Sequence, residues 1–222
     1  MTHHRLLPLF PLPNVFLLPE TTLPLHVFEP RYRAMLADAL AGERLIGVQL
    51  LNPAGHPDDA GRPAIFEVGC AGEVVEHEFL DDGRSNIVLR GAFRYRIASE
   101  KDSPTPYRVA EVAPLPLAPL PAATGARARR SLRHLLAKSV ERLADSVGRS
   151  ESRSLPPGLS DEGFVNEALT RLGLDAEDGY RVLVMERLEE RYDWALAHIA
   201  GVQMRLDFLA PFRRSGNDPR WN

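Results

Sequence analysis

The sequence contains a single cysteine, Cys70, among 222 residues, so no disulfide can form within the chain. This composition is typical of proteins that reside in a reducing compartment. A secretory signal is lacking too, because no stretch combines a basic start, an unbroken apolar run and a small-residue cleavage site. We therefore expect a cytoplasmic protein.

A large charge of either sign is also lacking. The chain has 27 basic and 30 acidic residues, which gives a formal net charge of −3. Such a balance provides no general attraction to nucleic acid or to an anionic membrane surface. Composition therefore indicates neither nucleic acid nor a membrane as a partner.

No long apolar run is free of proline. The most apolar stretch, LFPLPNVFLLPETTLPLHVFEPRYR at residues 9–33, is interrupted by proline every few residues. Proline removes a backbone donor and breaks a helix, whereas a membrane-spanning helix needs about 20 consecutive apolar residues. The stretch therefore predicts short strands and turns.

Sequence motifs for catalysis are lacking as well. The patterns G-x-x-x-x-G-K-[ST], G-x-G-x-x-G and G-x-S-x-G do not occur, and no histidine has a partner at metal-ligand spacing. Ser139 directly follows Lys138, and neighbours on a helix point about 100° apart, which argues against a Ser-Lys dyad. Cys70 lies on the apolar parity of a predicted strand and is interpreted as a buried filler. We predict no catalytic residue, no cofactor and no metal site.

The first half of the sequence predicts strands. A change of apolar parity beside Gly72 predicts a β-bulge, and Asp82-Gly83 predicts a two-residue hairpin turn. The segment PRYRAMLADALAG predicts a helix that begins at Pro30 and ends at Gly42. Many short antiparallel strands with bulges indicate a small barrel or a sandwich.

The second half predicts helices after a proline-rich connector, PLPLAPLP, at residues 114–121. Apolar residues at three- and four-residue spacing predict a helix over 132–147. Ser160 is placed to cap a second helix that ends at Gly173, and Asp175 to cap a third with an apolar stripe as far as Ile199. The predicted domains are a β domain at 1–118, the end of the connector at 119–124, a helical domain at 125–212 and a flexible tail at 213–222.

Three segments resemble a known family. LPLFPLPNVFLLPETTLPLHVFEPRYRAML at 7–36 resembles the start of the Lon protease N-terminal domain, also called the Lon substrate-binding domain. FVNEALTRLGLDAEDGYRVLVMERLEERYDWAL at 164–196 is similar to the segment that closes this domain. A third family pattern is matched by six residues: Gly69, Gly72, Gly83, Gly91, Arg94 and Ile97. The resemblance covers about residues 6–205 and implies an α+β fold, a PUA-like β pseudo-barrel followed by a C-terminal α-helical bundle.

The resemblance also carries a functional expectation. The sequence has no phosphate loop and no peptidase motif, so it lacks the signatures of the ATPase and peptidase parts of Lon. The resemblance therefore implies a stand-alone, non-catalytic module whose partners are unfolded or client protein segments, and a protease or chaperone component. An RNA-binding PUA-like protein is the alternative. The negative net charge and the lack of an aromatic and basic stacking platform count against it.

Seven residues are candidates for peptide binding: Val15, Phe16, Leu17, Leu18, Arg90, Arg94 and Arg96. The first four form an apolar loop, which either caps the core or makes an exposed hydrophobic contact. The three arginines share one parity of a predicted strand. They either lie on a solvent face or bind an acidic peptide segment.

Overall fold

The computed structural model describes residues 4–147 and 155–214, over which six strands and five helices form. In chain order the elements are β1 (Arg5–Leu12), β2 (Thr22–Val27), α1 (Pro30–Ala41), β3 (Leu45–Leu50), β4 (Val68–Phe79), β5 (Ser85–Lys101), β6 (Arg108–Pro114), α2 (Ala122–Val147), α3 (Asp161–Arg171), α4 (Ala176–Val184) and α5 (Leu188–Arg214).

The strands form one sheet in the order β2-β5-β4-β3-β1-β6, which closes on itself because β5 also pairs with β6. The long β5 makes this closure possible: its first half pairs with β2 and its second half with β6, while β4 runs beside both halves. β2 lies outside the closed ring of strands as an edge. Six buried residues form a core cluster among the strands: Leu7, Leu9, Ala71, Tyr95, Ala110 and Val112. The predicted α+β fold is confirmed.

Irregularities in the sheet lie near the predicted positions. The register between β4 and β5 shifts between Ala71 and Gly72, as the parity change indicated. The hairpin between these strands also forms, but its connection is five residues long, 80–84, so the predicted two-residue turn was wrong. The backbone of Leu80 closes the hairpin: its N–H donates to the carbonyl of Arg84 and its carbonyl accepts from the N–H of Gly83, each at 2.9 Å. Three residues, 81–83, therefore make the turn, with Gly83 at a φ of 79°.

The predicted helix ends are confirmed where they rest on local chemistry. α1 begins at Pro30 and ends before Gly42. The Ser160 hydroxyl accepts from the N–H of Gly163 at 3.0 Å at the start of α3, and the Asp175 carboxylate accepts from the N–H of Asp178 at 2.8 Å at the start of α4.

The predicted third helix is two helices, because the backbone of Met185 leaves the helical region at φ −58° and ψ 132°. The first of them, α4, belongs with the strands: Gly173–Glu186 and the residues up to Ala118 form one compact unit. We call it the strand-containing unit. The second unit, the helical unit, contains Pro119–Leu172 and the chain from Arg187. The prediction of one helical domain over 125–212 was therefore wrong for this segment. α2 also begins at Ala122, inside the predicted connector, and most of the predicted tail lies outside the described residues.

In the helical unit, α2, α3 and α5 pack on one another around a buried arginine. Arg191 of α5 donates to the carboxylate of Glu162 at 3.1 Å and to the amide oxygen of Asn166 at 2.7 Å, both on α3. Tyr192 donates to the carbonyl of Asp161 at 2.9 Å, and burial raises the pKa of its hydroxyl. None of the described helices has the length and apolar character needed to cross a membrane.

Candidate functional site

The apolar loop predicted as a contact surface lies largely in the core. Leu17 is 2% exposed and Leu18 is 0% exposed, so an exposed hydrophobic contact through these two side chains is excluded in this conformation. Val15 and Phe16 are half-buried. Phe16 packs directly on α4: a Cβ atom built on Gly179 would lie 2.3 Å from its ring. The loop therefore caps the core of the strand-containing unit.

The three candidate arginines do not form one face. Arg90 and Arg96 are exposed and pair with carboxylates, Glu73 at 3.2 Å and Glu67 at 2.8 Å. Arg94 is 2% exposed. The register shift between β4 and β5 separates Arg90 from Arg94. Arg94 and Arg96 lie in regular pairing, and they differ in exposure because the end of α4 covers Arg94.

Arg94 binds backbone carbonyls at the end of α4. Its guanidinium donates to the carbonyl oxygens of Leu183 at 2.6 Å, Met185 at 2.7 Å and Pro116 at 3.3 Å. A cation at the C-terminal end of a helix satisfies carbonyls that have no partner within the helix and interacts favourably with the helix dipole. Two of the seven predicted residues, Phe16 and Arg94, therefore meet on a segment of the same chain. Peptide contact by Val15, Phe16, Arg90 and Arg96 stays a prediction.

A groove of about 470 Å³ lies elsewhere on the strand-containing unit. Five separate segments build it: the end of β1, the corner between β2 and α1, Leu51 directly after β3, the loop at 62–63 and the segment at 105–108 before and at the start of β6. Its lining residues are Phe10, Pro11, Leu12, Pro13, Leu25, His26, Phe28, Glu29, Arg31, Tyr32, Leu51, Arg62, Pro63, Thr105, Pro106, Tyr107 and Arg108. Aromatic, proline and leucine side chains make up eleven of these seventeen residues, which suits an apolar ligand with a small number of polar contacts.

The aromatic side chains differ in how they are held. Phe10 and Tyr32 form the buried part of the wall, with ring centroids 4.4 Å apart. Phe28 is 59% exposed although it is large and apolar. Tyr107 donates to the carboxylate of Asp38 at 2.5 Å, and burial together with this bond raises the pKa of its hydroxyl to about 12. Tyr107 therefore remains an uncharged, fixed part of the wall at neutral pH.

The charged residues of the groove are arginines held by carboxylates. Arg31 pairs with Glu29 at 2.7 Å and Arg62 with Asp58 at 2.6 Å, and both guanidinium groups are about half exposed. Arg108 is mostly buried, pairs with Glu100 and donates to the carbonyl of Pro63 at 2.8 Å. Within the described residues no three His, Cys, Asp or Glu side chains are grouped to hold a metal ion. The arrangement can bind an apolar segment and orient its charged groups.

Sequence reasoning missed this groove. Phe28 directly follows β2 and precedes Pro30, so it lies outside the alternating pattern of the strand. A large apolar residue beyond the end of a strand and before a helix-starting proline was the available signal. The other walls come from positions distant in sequence, for which no local pattern exists.

Comparison with known proteins gives the family. The family profile of the ATP-dependent protease La (LON) substrate-binding domain matches residues 6–200. The chain belongs to this family. It is 28% identical over 159 residues to Lon protease 2 of Sorangium cellulosum, covering 69% of the chain and 20% of that protein. It is 32% identical over 94 residues to the Lon protease of Trichlorobacter lovleyi, covering 42% of the chain and 11% of that protein.

Solved structures of Lon N-terminal domains share the fold. The N-terminal domain of a Mycobacterium avium complex Lon protease matches with a TM-score of 0.63 at 17% identity, covering 88% of this chain and 98% of that one. A Lon N-terminal domain protein from Xanthomonas campestris matches with a TM-score of 0.59 at 23% identity, covering 87% and 98%. The chain thus spans a whole Lon N-terminal domain but a fifth or less of the curated Lon proteins named above.

Proposed function

We propose that this Lon-family domain is a non-catalytic module that binds segments of unfolded client proteins in the groove between the β2–α1 corner and the loop before β6. The observation that carries the proposal is the aromatic and proline lining of a cavity of about 470 Å³, with Phe28 exposed at its mouth. Burying such apolar surface releases about 25 cal/mol per Å². Membership of a substrate-binding domain family supports the same activity.

The proposed activity is binding, which agrees with the match of residues 6–200 to a substrate-binding domain. A protease or a chaperone that receives the bound client is the second proposed partner, and the cytoplasm is the proposed location. Phe28 replaces the Val15–Leu18 loop as the main apolar contact in this proposal, since Leu17 and Leu18 are buried.

Replacing Phe28 with serine is expected to weaken binding of an unfolded protein about tenfold, the effect of removing one large apolar contact. The measurement is the fluorescence anisotropy of fluorescein-labelled β-casein titrated with each variant. Phe79→Ser is the matched control, because Phe79 is 65% exposed at the end of β4 and does not line the groove. Its affinity should equal that of the wild type.

If Phe28→Ser and Phe79→Ser lost the same affinity for β-casein, or if neither lost any, the groove would not be the binding site. Absence of casein binding by the wild-type chain would contradict the proposed function itself. A labelled single-stranded RNA titrated at several salt concentrations addresses the alternative, since RNA binding through phosphates falls steeply with salt.

A further inference from the structure

One strand of the sheet has an open edge. Within residues 4–147 and 155–214, β2 pairs with β5 alone. The N–H of Gly91 donates to the carbonyl of Thr21 at 2.9 Å, so the backbone of Thr21 faces β5. Because residues of an antiparallel pair alternate in direction, Thr22, Pro24 and His26 turn their backbone groups away from β5.

This open edge adjoins the groove. Leu25 and His26 of β2 line the groove together with Phe28, and the side chains of Thr22, Pro24 and His26 are exposed. Unpaired N–H and C=O groups along an extended strand are a template for one more strand. An extended polypeptide lying in the groove would therefore meet backbone partners as well as apolar walls.

Pro24 reduces the number of N–H donors on the outward edge of β2, which favours some occupants over others. Pro24 has no N–H, so the outward edge offers two donors, those of Thr22 and His26. If a second copy of the chain paired its own β2 with this edge, both strands would lack the N–H at Pro24, so fewer hydrogen bonds could form between them. A different extended segment, with its own donors intact, fits the edge better.

The arginines of the groove favour a segment that carries a carboxylate. Three arginines line the groove against one glutamate, and Asp58 and Glu100 pair with two of the three from outside the lining. Arg31 pairs with one carboxylate, Glu29, whereas Arg62 lies near two, Asp58 at 2.6 Å and Glu100 at 3.9 Å. Both side chains are about half exposed, and a guanidinium has five N–H donors, more than these carboxylates occupy. A carboxylate on the client can bind there without displacing the existing pairs.

We infer that the client enters the groove as an added β-strand, hydrogen-bonded to the outward edge of β2 at Thr22 and His26, with an acidic side chain beside Arg31 or Arg62. This inference rests on the proposed function, for which it supplies the binding mode. The occupant is an extended peptide of alternating apolar character with a nearby carboxylate.

Backbone methylation of the peptide tests the added strand directly. The probe is the tightest-binding peptide from a set that tiles β-casein, resynthesised with one amide N-methylated at a time. Because N–H groups along a strand alternate in direction, methylation at every second position should weaken binding about three- to tenfold, and the intervening positions should tolerate it. Uniform losses, or none, would overturn strand addition.

A substitution in the protein tests the hydrogen bond that the outward N–H of His26 donates to the peptide. His26→Pro removes the outward N–H, whereas His26→Ala removes the side chain and keeps it. We expect His26→Pro to bind the peptide about three- to tenfold more weakly than His26→Ala. Equal affinities in two variants with the same thermal midpoint would contradict the role of this N–H.

The charge is tested by a double-mutant cycle. Replacing the acidic residue of the peptide by its amide should weaken binding to the wild type and have a smaller effect on Arg31→Gln or on Arg62→Gln. Equal effects in all three proteins would overturn the acidic contact. If none of the tiled peptides binds, the proposed function fails as a whole. If they bind without alternation under methylation, the binding mode fails and the function stands.

Discussion

Replacing Arg94 with methionine is expected to lower the free energy of unfolding of the strand-containing unit by about 3 kcal/mol. Arg94 is 2% exposed and donates to the carbonyls of Leu183 and Met185 at the end of α4. Methionine fills much of the same volume but cannot donate, so buried carbonyls lose their partner. Each such loss costs about 1–3 kcal/mol.

Amide hydrogen exchange with detection by mass spectrometry measures this effect segment by segment. The amides of α4 should exchange faster in Arg94→Met, because this helix is held on the strand-containing unit through Arg94. The amides of α3 and α5 in the helical unit should change less. Exchange therefore separates loss of the α4 contact from general unfolding.

Arg96→Met is the matched control, two residues along the same strand. Arg96 is exposed and pairs with Glu67, and exposed ion pairs are worth about 0–1 kcal/mol. If Arg94→Met and Arg96→Met had equal effects, the role assigned to the buried guanidinium would be wrong. An unchanged exchange rate in α4 would contradict it as well.

Elements that depend on nearby residues could be predicted from the sequence. Pro30 and Gly42 bound α1, and Ser160 and Asp175 cap α3 and α4, because capping involves residues three positions apart. The parity change beside Gly72 indicated the register shift for the same reason. Each of these signals compares a residue with its immediate neighbours.

Contacts between distant segments could not be predicted in this way. The apolar stripe of α4 continues into α5, so periodicity predicted one helix where two form. The break lies at Met185, whose carbonyl accepts from Arg94, 91 positions earlier. The groove likewise combines residues from β1, β2, α1, the end of β3 and two loops. A position such as Phe28 shows its exposure only when these segments are assembled.

The three arginines of β5 show both a feature that the sequence predicts and one that depends on distant segments. Arg90, Arg94 and Arg96 share one parity, and the strand they occupy was predicted. Their environments differ because a register shift lies between Arg90 and Arg94, and because α4 covers Arg94. Parity predicts a face only where pairing is regular.

Replacing Gly91 with alanine should destabilise the strand-containing unit by about 3 kcal/mol, the upper range for inserting a methyl group into a packed site. A Cβ atom at Gly91 would lie 2.1 Å from the carbonyl oxygen of Leu18 and 3.0 Å from the Cα of Pro19. These are backbone atoms, so no change of rotamer relieves the contact. Gly91 also accepts from Glu20 and donates to Thr21, which fixes the approach of the two segments.

The same hydrogen-exchange measurement, read over β2 and β5, checks the effect of Gly91→Ala. Gly201→Ala is the control: a Cβ atom at Gly201 of α5 meets no atom within 4 Å, and alanine is favoured over glycine in a helix by about 1 kcal/mol. One substitution type should thus give opposite signs at two sites. Because β2 supplies the proposed edge for client binding, Gly91→Ala should also weaken β-casein binding, whereas Gly201→Ala should leave it unchanged. Retained protection of β2 and β5 in Gly91→Ala would contradict the role assigned to the close contact between Gly91 and the backbone of Leu18 and Pro19.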